Sequence, residues 1–376
     1  MISQHNDRRF MKFALTLAKR GLGQTSSNPS VGAVVVQLSD PPVIIGQGRT
    51  QNSGRPHAEV VALQQAGEKA KGATLYVTLE PCSHYGRSPP CVNAILASGI
   101  QKVVIGIEDP NPEVAGQGIQ KLKDAGLEVC FIEQTLQQEA AWLTKGHVLR
   151  MTEQRPFVQV KLAVDKNAHI APGQDQAPVW ITGQQAREQG HKLRSQADAI
   201  LIGRGTAQVD NPSLTCRLPG LTERSPIRVV LDHGLNVSAD SQLFEDIQKV
   251  PLLFISAEDV SEHKKEILEK AGAEVINVIQ SGVKKSVAIT KSLQALTKRG
   301  ITRIMLEGGP KVVRSFWDAG CIDELVIFQN PAYECASSQE AVDGLRLNDI
   351  LQTTGVMALS MRQVGEDLMT TYRIMK

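Results

Sequence analysis

Two segments decide the fold: Gly54-Arg55-Pro56-His57-Ala58-Glu59, and Tyr76-Val77-Thr78-Leu79-Glu80-Pro81-Cys82-Ser83-His84-Tyr85-Gly86-Arg87-Ser88-Pro89-Pro90-Cys91. Ala58–Ala66 reads as a helix and Thr74–Leu79 as a strand. Cys91–Ala97 reads as a second helix, with Pro90 at its first turn and Gly99 beyond its end. His57, Cys82 and Cys91 are one imidazole and two thiols, which are ligand types of zinc. A structural zinc site usually closes with four protein ligands, whereas a catalytic one keeps a position for water. Zinc makes hydroxide available near neutral pH. Glu59 lies close enough to His57 to reach such a water without being a ligand, and can pass its proton to a leaving amine.

Each piece alone is weak, since His-Ala-Glu at a helix start and Pro-Cys are both common. Taken in order, with a strand ending just before Pro-Cys, they follow the pattern of a zinc deaminase. His84 offers a competing reading, a closed four-ligand structural site, which would leave Glu59 without a purpose. Eight residues separate the two cysteines, where nucleoside and nucleic-acid deaminases usually have two. The extra loop is polar, carries His84 and Arg87, and suits a phosphorylated heterocycle.

Working outward, Phe10, Phe13, Ala14, Leu17 and Ala18 recur at helical spacing until Gly21. Val31–Val36 and Val43–Ile45 read as a strand pair joined at Ser39-Asp40-Pro41-Pro42. Lys102–Ile107 and Glu128–Ile132 read as strands around a helix at Gly118–Asp124, the alternation of a parallel sheet. Glu133–Arg150 reads as a polar helix running into a linker at Thr152-Glu153-Gln154-Arg155-Pro156. A second series follows. Its strands are Phe157–Val164, Ala199–Ile202, Ile227–Leu231, Leu252–Ile255, Glu274–Val278, Arg303–Leu306, Glu324–Phe328 and Met369–Ile374. Its helices are Gln184–Arg194, Lys264–Lys270, Val287–Lys298 and Val312–Trp317. The chain thus reads as two α/β domains, residues 1–146 and 156–376.

Composition narrows the function. The length of 376 residues suits two or three domains at roughly 100–200 residues each. Apolar residues at 41% and charged residues at 21% fit a globular chain and exclude a disordered one. Lys plus Arg is 41 against 39 for Asp plus Glu, a formal charge of +2, which argues against a general nucleic-acid binder. Six cysteines are too sparse for a disulfide framework, and Cys130, Cys216, Cys321 and Cys335 read as inert thiols. No stretch approaches the roughly 18 apolar residues of a membrane span. The first segment lacks the order of a signal peptide, so a cytoplasmic protein is expected.

The second half has no Gly-x-Gly-x-x-Gly after a strand, so a Rossmann site is not expected. Gly203-Arg204-Gly205-Thr206 and Glu307-Gly308-Gly309-Pro310 each follow a strand. Such glycines let backbone N–H groups approach a pyrophosphate, and a tight turn into a helix explains them equally well. Lys161, Arg194 and Arg217 read either as cations for a sugar phosphate or as solvated charges. Asp210 in Val-Asp-Asn-Pro reads as an Asx turn.

On these residues the chain resembles the bifunctional riboflavin-biosynthesis deaminase/reductase family. Further matching motifs are Asn28-Pro29-Ser30-Val31-Gly32, Glu108-Asp109-Pro110-Asn111-Pro112, Lys161-Leu162-Ala163, Trp180-Ile181-Thr182, Leu193-Arg194 and Asp210-Asn211-Pro212-Ser213-Leu214-Thr215 with Arg217. The resemblance implies a cytidine-deaminase-like three-layer α/β/α domain followed by a dihydrofolate-reductase-like α/β domain. It implies zinc on His57, Cys82 and Cys91, with Glu59 moving protons. It implies removal of the 2-amino group of a phosphorylated diaminopyrimidinone, then NADPH-dependent reduction of its ribosyl group to ribityl. Asn28, His84 and Arg87 fall where the family holds the pyrimidine and its phosphate. Ala163, Trp180, Thr206, Asp210 and the run Gly309, Pro310, Lys311, Val312, Val313, Arg314, Ser315 fall at the cofactor. Lys161, Arg194, Leu214, Arg217 and Glu307 fall on the substrate side.

Two departures stand out. The family usually has Ser-Leu-Asp-Gly where this chain has Val164-Asp165-Lys166-Asn167-Ala168, so the turn and the nicotinamide-side wall are expected to differ. A His is common where Thr50 stands, so one substrate contact is expected to differ. A deaminase with a decayed reductase half, a nucleic-acid deaminase and a non-catalytic zinc protein are the competing readings. A small-molecule partner is expected, without nucleic acid or membrane, and the oligomeric state, a homo-oligomer included, stays open.

Overall fold

The computed structural model describes residues 2–86, 88–111, 114–171, 180–336 and 338–375. The chain separates into two compact units between Gln154 and Arg155. The first unit contains α1 (Ile2–Arg20), β1 (Gly32–Gln37), β2 (Val43–Arg49), α2 (Ala58–Ala66), β3 (Thr74–Leu79) and α3 (Cys91–Ala97). It continues with β4 (Lys102–Ile107), α4 (Gln117–Asp124), β5 (Glu128–Phe131), α5 (Gln134–Leu143) and α6 (Lys145–Thr152). Its strands form one sheet in the order β2-β1-β3-β4-β5.

Both faces of this sheet are covered. Ala33, Val35, Leu75, Val77, Val103 and Ile105 face one buried cluster with Ala58, Ala62, Val92, Ile95, Ile119 and Leu122 from α2, α3 and α4. The alternate residues Val34, Val36, Tyr76 and Val104 face Phe10, Met11, Ala14, Leu136 and Ala140 from α1 and α5. Strand side chains alternate between faces, so an apolar run buries both. Each fully buried aliphatic side chain contributes about 1.5–3 kcal/mol.

The sheet is mixed, parallel where strand and helix alternate and antiparallel at the turn-linked pair. β3, β4 and β5 are parallel, but β1 runs antiparallel to both β2 and β3. The link from β1 to β2 is a short turn, and a parallel crossover needs a dozen or so residues. β2 also runs past Ile45 to Arg49. Gly46 and Gly48 hid that extension, and both are needed: a Cβ there would come within 2.1 Å of the Ala62 carbonyl oxygen and 2.3 Å of that of Ala58. Their bareness lets α2 press against the sheet. The helix expected over Glu133–Arg150 is two helices, broken at Thr144, whose hydroxyl donates to the Ala140 carbonyl at 2.8 Å.

The second unit contains β6 (Phe157–Val164), β7 (His169–Ile170), α7 (Gln184–Arg194), β8 (Ala199–Gly203), α8 (Arg204–Val209), β9 (Ile227–Leu231) and β10 (Leu252–Ala257). It continues with α9 (Glu262–Lys270), β11 (Glu274–Ile279), α10 (Lys285–Lys298), β12 (Arg303–Leu306), α11 (Pro310–Asp318), β13 (Glu324–Gln329) and β14 (Gln339–Glu340). It ends with α12 (Leu347–Leu351), β15 (Val356–Val364) and β16 (Asp367–Ile374). Nine strands form one sheet, β11-β10-β9-β8-β12-β6-β13-β16-β15. The strands from β11 through β13 are parallel, and β16 and β15 close that edge antiparallel. After β8 the chain moves toward β9, whereas after β12 it crosses to β13 beyond β6. The carboxyl ends of β8 and β12 therefore flank a topological switch point, the usual ligand crevice of an open α/β sheet. Among the described residues no helix is long and apolar enough to cross a membrane.

Candidate functional site

In the first unit, β3 ends at Leu79 and the next turn carries Pro81-Cys82. His57 caps the start of α2 with extended backbone angles, and Cys91 is the first residue of α3 with Pro90 as its cap, one place before the expected first turn. The ligand atoms of His57, Cys82 and Cys91 all lie within 4.8 Å of one another. His57 Nδ1 stands 3.3 Å from Cys91 Sγ and 3.6 Å from Cys82 Sγ, and the Cys91 backbone N–H donates to Cys82 Sγ at 3.3 Å. A hydrogen bond from Cys91 holds the Cys82 thiol down at about 4 against burial, with His57 assisting. Cys91 is correspondingly pushed up, first by its bond to Cys82 and then by burial. One imidazole and two sulfurs gathered this closely fit a zinc ion, which would stabilise both thiolates.

Glu59 sits in the first turn of α2 and is 4% exposed. Burial, then the charge of Cys82, pushes its carboxyl up to about 7, against the pull of His57. Gly54, at φ +88°, precedes this group, and a Cβ on it would fall 2.1 Å from Asn28 Nδ2. Glycine is thus required there both for the backbone and for the Asn28 carboxamide. Arg55 donates to Ser88 Oγ, tying the inter-cysteine loop to the segment before His57. His84 is exposed and stands outside the three-residue group, so the four-ligand reading is not supported. Arg87 and Pro112 lie outside the described residues.

In the second unit, Arg194 closes α7 and grips Glu307 with two bonds of 2.8 Å, Nε to Oε1 and Nη2 to Oε2. Burial pushes Glu307 up, but Arg194 overcomes it and holds the carboxyl down at about 2. Lys161, in central β6, packs its ammonium 6.0 Å from the Phe328 ring centre, and burial lowers its pKa. Its ammonium makes no hydrogen bond among the described residues, and the Glu307 carboxylate favours its charge against that burial. Arg217 is exposed and donates through Nη1 to Ser213 Oγ at 2.7 Å. At the crevice, the Gly309 N–H at the start of α11 donates to Thr206 Oγ1 of α8 at 3.1 Å. Glycines at the switch point leave room for a dinucleotide to approach, with open space at Gly205.

Family models match both units. Residues 4–107 match the cytidine and deoxycytidylate deaminase zinc-binding region, and residues 156–368 match the RibD C-terminal domain. The riboflavin biosynthesis protein RibD of Aquifex aeolicus is 37% identical over 98% of both chains. The solved RibD of Acinetobacter baumannii superposes with a TM-score of 0.82 at 32% identity, covering 99% of each chain. A Thermotoga maritima diaminohydroxyphosphoribosylaminopyrimidine deaminase/5-amino-6-(5-phosphoribosylamino)uracil reductase gives 0.80 at 34%, again over 99% of each. The chain belongs to the RibD family. It is a bifunctional deaminase/reductase of riboflavin biosynthesis, with a zinc-dependent deaminase unit and an NADPH-dependent reductase unit.

Within this RibD chain the two departures resolve differently. Asp165 is fully buried, and its carboxylate accepts the N–H groups of Asn167 and His169 at 2.9 Å and of Cys335 at 3.0 Å. Ala168 takes a left-handed φ of +66°. A turn is therefore built here around the Asp165 carboxylate and the left-handed Ala168. Thr50 is 1% exposed, and its hydroxyl accepts from the Val31 N–H at 2.9 Å and donates to the Pro29 carbonyl at 3.0 Å. Its polar atom is occupied by backbone and offers no substrate contact.

Several expected cofactor and substrate positions have side chains that are buried or bonded within the unit. Leu214 is buried in an apolar cluster at φ +54°, and Val313 is buried on α11. Arg314 pairs with Asp318, and Ser315 donates to the Lys311 carbonyl. Trp180 is 65% exposed with Arg187 stacked at 4.9 Å, Ala163 is near the end of β6, and Asp210 caps the end of α8. Sequence reasoning missed His191, whose Nδ1 accepts the Arg217 N–H at 3.3 Å. Its spacing of three residues before Arg194 on α7 was the available signal.

Proposed function

We propose that the chain deaminates 2,5-diamino-6-(5-phosphoribosylamino)pyrimidin-4(3H)-one and then reduces the ribosyl group to ribityl, giving 5-amino-6-(5-phosphoribitylamino)uracil. The reading rests on the open group of His57, Cys82 and Cys91, with the buried carboxylate of Glu59 two residues from His57. Zinc held by those three supplies the Lewis acidity that makes water nucleophilic near neutral pH. Glu59 takes the proton of the attacking water and returns it to the departing amine. Asn28, His84 and Arg87 hold the pyrimidine and its phosphate.

In the reductase half, Ala163, Trp180, Thr206, Asp210 and the 309–315 run hold NADPH, which supplies the hydride. Lys161, Arg194, Leu214, Arg217 and Glu307 face the sugar phosphate. Arg194 neutralises Glu307, which leaves Lys161 and Arg217 to meet a phosphate dianion. Hydride transfer itself asks the protein mainly for orientation. We assign the deaminase domain to residues 1–146 and the reductase domain to 156–376. We also place the protein in the cytoplasm, acting on a small molecule and on no nucleic acid, in keeping with its +2 charge. A homo-oligomer is favoured by the outer strand β15, which leaves Met357, Leu359 and Met361 exposed.

The test is a one-pot assay with the phosphorylated diaminopyrimidinone, with and without NADPH, followed by mass spectrometry. Without NADPH the product should show one amino group exchanged for oxygen, and with NADPH a further uptake of two hydrogens. Reduction without prior deamination, or no reaction, rejects this order of steps.

A further inference from the structure

Glu80 stands two residues before Cys82 and takes no part in the chemistry above. It is 3% exposed. Its Oε1 accepts the backbone N–H groups of Gly118 at 2.8 Å and Ile119 at 3.1 Å. Its Oε2 accepts those of Gly116 at 3.0 Å and Asp109 at 3.1 Å. A carboxylate has about four lone-pair sites, so its acceptor capacity is filled. Two of these donors lie in the first turn of α4, where a helix favours negative charge.

The other neighbours of Cys82 rest on the same helix. A Cβ on Gly118 would come within 2.2 Å of the Pro81 carbonyl oxygen. Lys121 Nζ donates to the Ser83 carbonyl at 2.9 Å. The residues on both sides of Cys82 are therefore fastened to α4. Through Asp109 the same carboxylate also fixes the loop of the Glu108–Asn111 motif, since Asp109 Oδ1 takes the Asn111 N–H at 2.9 Å and lies 3.1 Å from His147 Nε2.

We propose that Glu80 is a positioning residue for the deaminase centre: it locks the Cys82 turn onto α4 and so sets where the Cys82 sulfur stands relative to His57 and Cys91. The inference rests on the reading of those three as the metal ligands. A glutamine at this position would present an NH2 group to backbone N–H donors, breaking the lock while keeping the volume.

The test uses the full chain loaded with cobalt(II), whose thiolate charge-transfer and ligand-field bands report the ligand geometry. Glu80→Gln should shift those bands and weaken zinc binding in chelator competition by roughly 10- to 100-fold, as expected for groups that orient ligands. Deamination kcat should fall with it, while reduction by the same chain is unchanged. Glu80→Asp should restore part of each loss. Unchanged bands and zinc affinity alongside a lowered melting temperature would overturn the proposal, leaving Glu80 a stabilising residue only. If Glu80→Gln does not fold, Lys121→Met removes the Ser83 tie alone. A smaller band shift in that variant supports the lock, and an unchanged spectrum rejects it. Failure of the underlying reading looks different: wild-type chain would then show no thiolate–cobalt bands, or Cys82→Ser would keep them all.

Discussion

The metal group draws its three side chains from one stretch of the first unit, residues 57–91, whereas the charged cluster of the second unit draws Lys161, Arg194, Arg217 and Glu307 from four separate segments. The first depends on residue chemistry. Imidazole and thiolate gathered at one turn are a donor set for a metal, and a buried carboxylate stands two residues from the imidazole. The second depends on assembly, because parallel strands far apart in sequence must bring their carboxyl ends together before any cation has a purpose. A single change in the first should therefore remove one reaction cleanly. A single change in the second should damage fold and reaction together.

Glu59→Gln tests this contrast with the largest effect. Deamination kcat should fall by about 10²–10⁴-fold, the usual worth of a positioned acid–base group. Zinc content, measured by atomic absorption, should stay as in the wild type, and NADPH oxidation on the deaminated intermediate should be unaffected. Normal deamination by this variant would remove Glu59 from the proton path.

Arg194→Ala should behave in the opposite manner. It leaves Glu307 as an unpaired charge at 15% side-chain exposure, and breaking a buried pair costs about 3 kcal/mol or more. Urea unfolding should show the second unit weakened and the reductase KM raised, with deamination intact. If reduction is lost without any change in unfolding, the contrast between the two sites is wrong.

The same contrast explains what could be read in advance. Ala58–Ala66, Thr74–Leu79 and Cys91–Ala97 were placed to the residue, because periodicity and flanking Pro and Gly agree there. β15 was missed because its positions are nearly all exposed on a sheet edge, so no alternation marks it. The gathering of His57, Cys82 and Cys91 was legible from their residue types. Glu80 was not, since its partners are backbone N–H groups of 109–119, and backbone donors leave no trace in a sequence. In the second unit the residues alone left each cation and glycine turn with a bland alternative, and only the family motifs grouped them. The pairing of Arg194 with Glu307 and the acceptor role of His191 follow from how strands and helix ends meet.

His191 gives a pH test of that hidden layer. Burial, then the charges of Arg194 and Arg217, holds its pKa down at about 4, against roughly 6.5 in an unfolded chain. A base depressed on folding contributes full stability above about 6.5 and loses it as the pH falls toward 4. Between pH 7 and pH 5 the melting temperature of the wild type should therefore drop more than that of His191→Gln. Parallel curves would mean that the imidazole is not held neutral by this cluster.

The smallest expected effect lies at Ala168, in the 164–168 segment that departs from the family's usual stretch. A left-handed φ of +66° costs an L-residue about 1–2 kcal/mol. Glycine removes that cost but gives back about 0.5–1 kcal/mol through the freer unfolded chain. Ala168→Gly should thus stabilise the second unit by about 0.5 kcal/mol in urea unfolding, with reduction unchanged. Ala168→Val should destabilise it, since a branched side chain tolerates that region least. The turn is held chiefly by the three N–H bonds to Asp165, so Asp165→Asn should cost more than either change. If Ala168→Gly instead changes the reductase KM, the strained alanine shapes the nicotinamide-side wall as well as the turn.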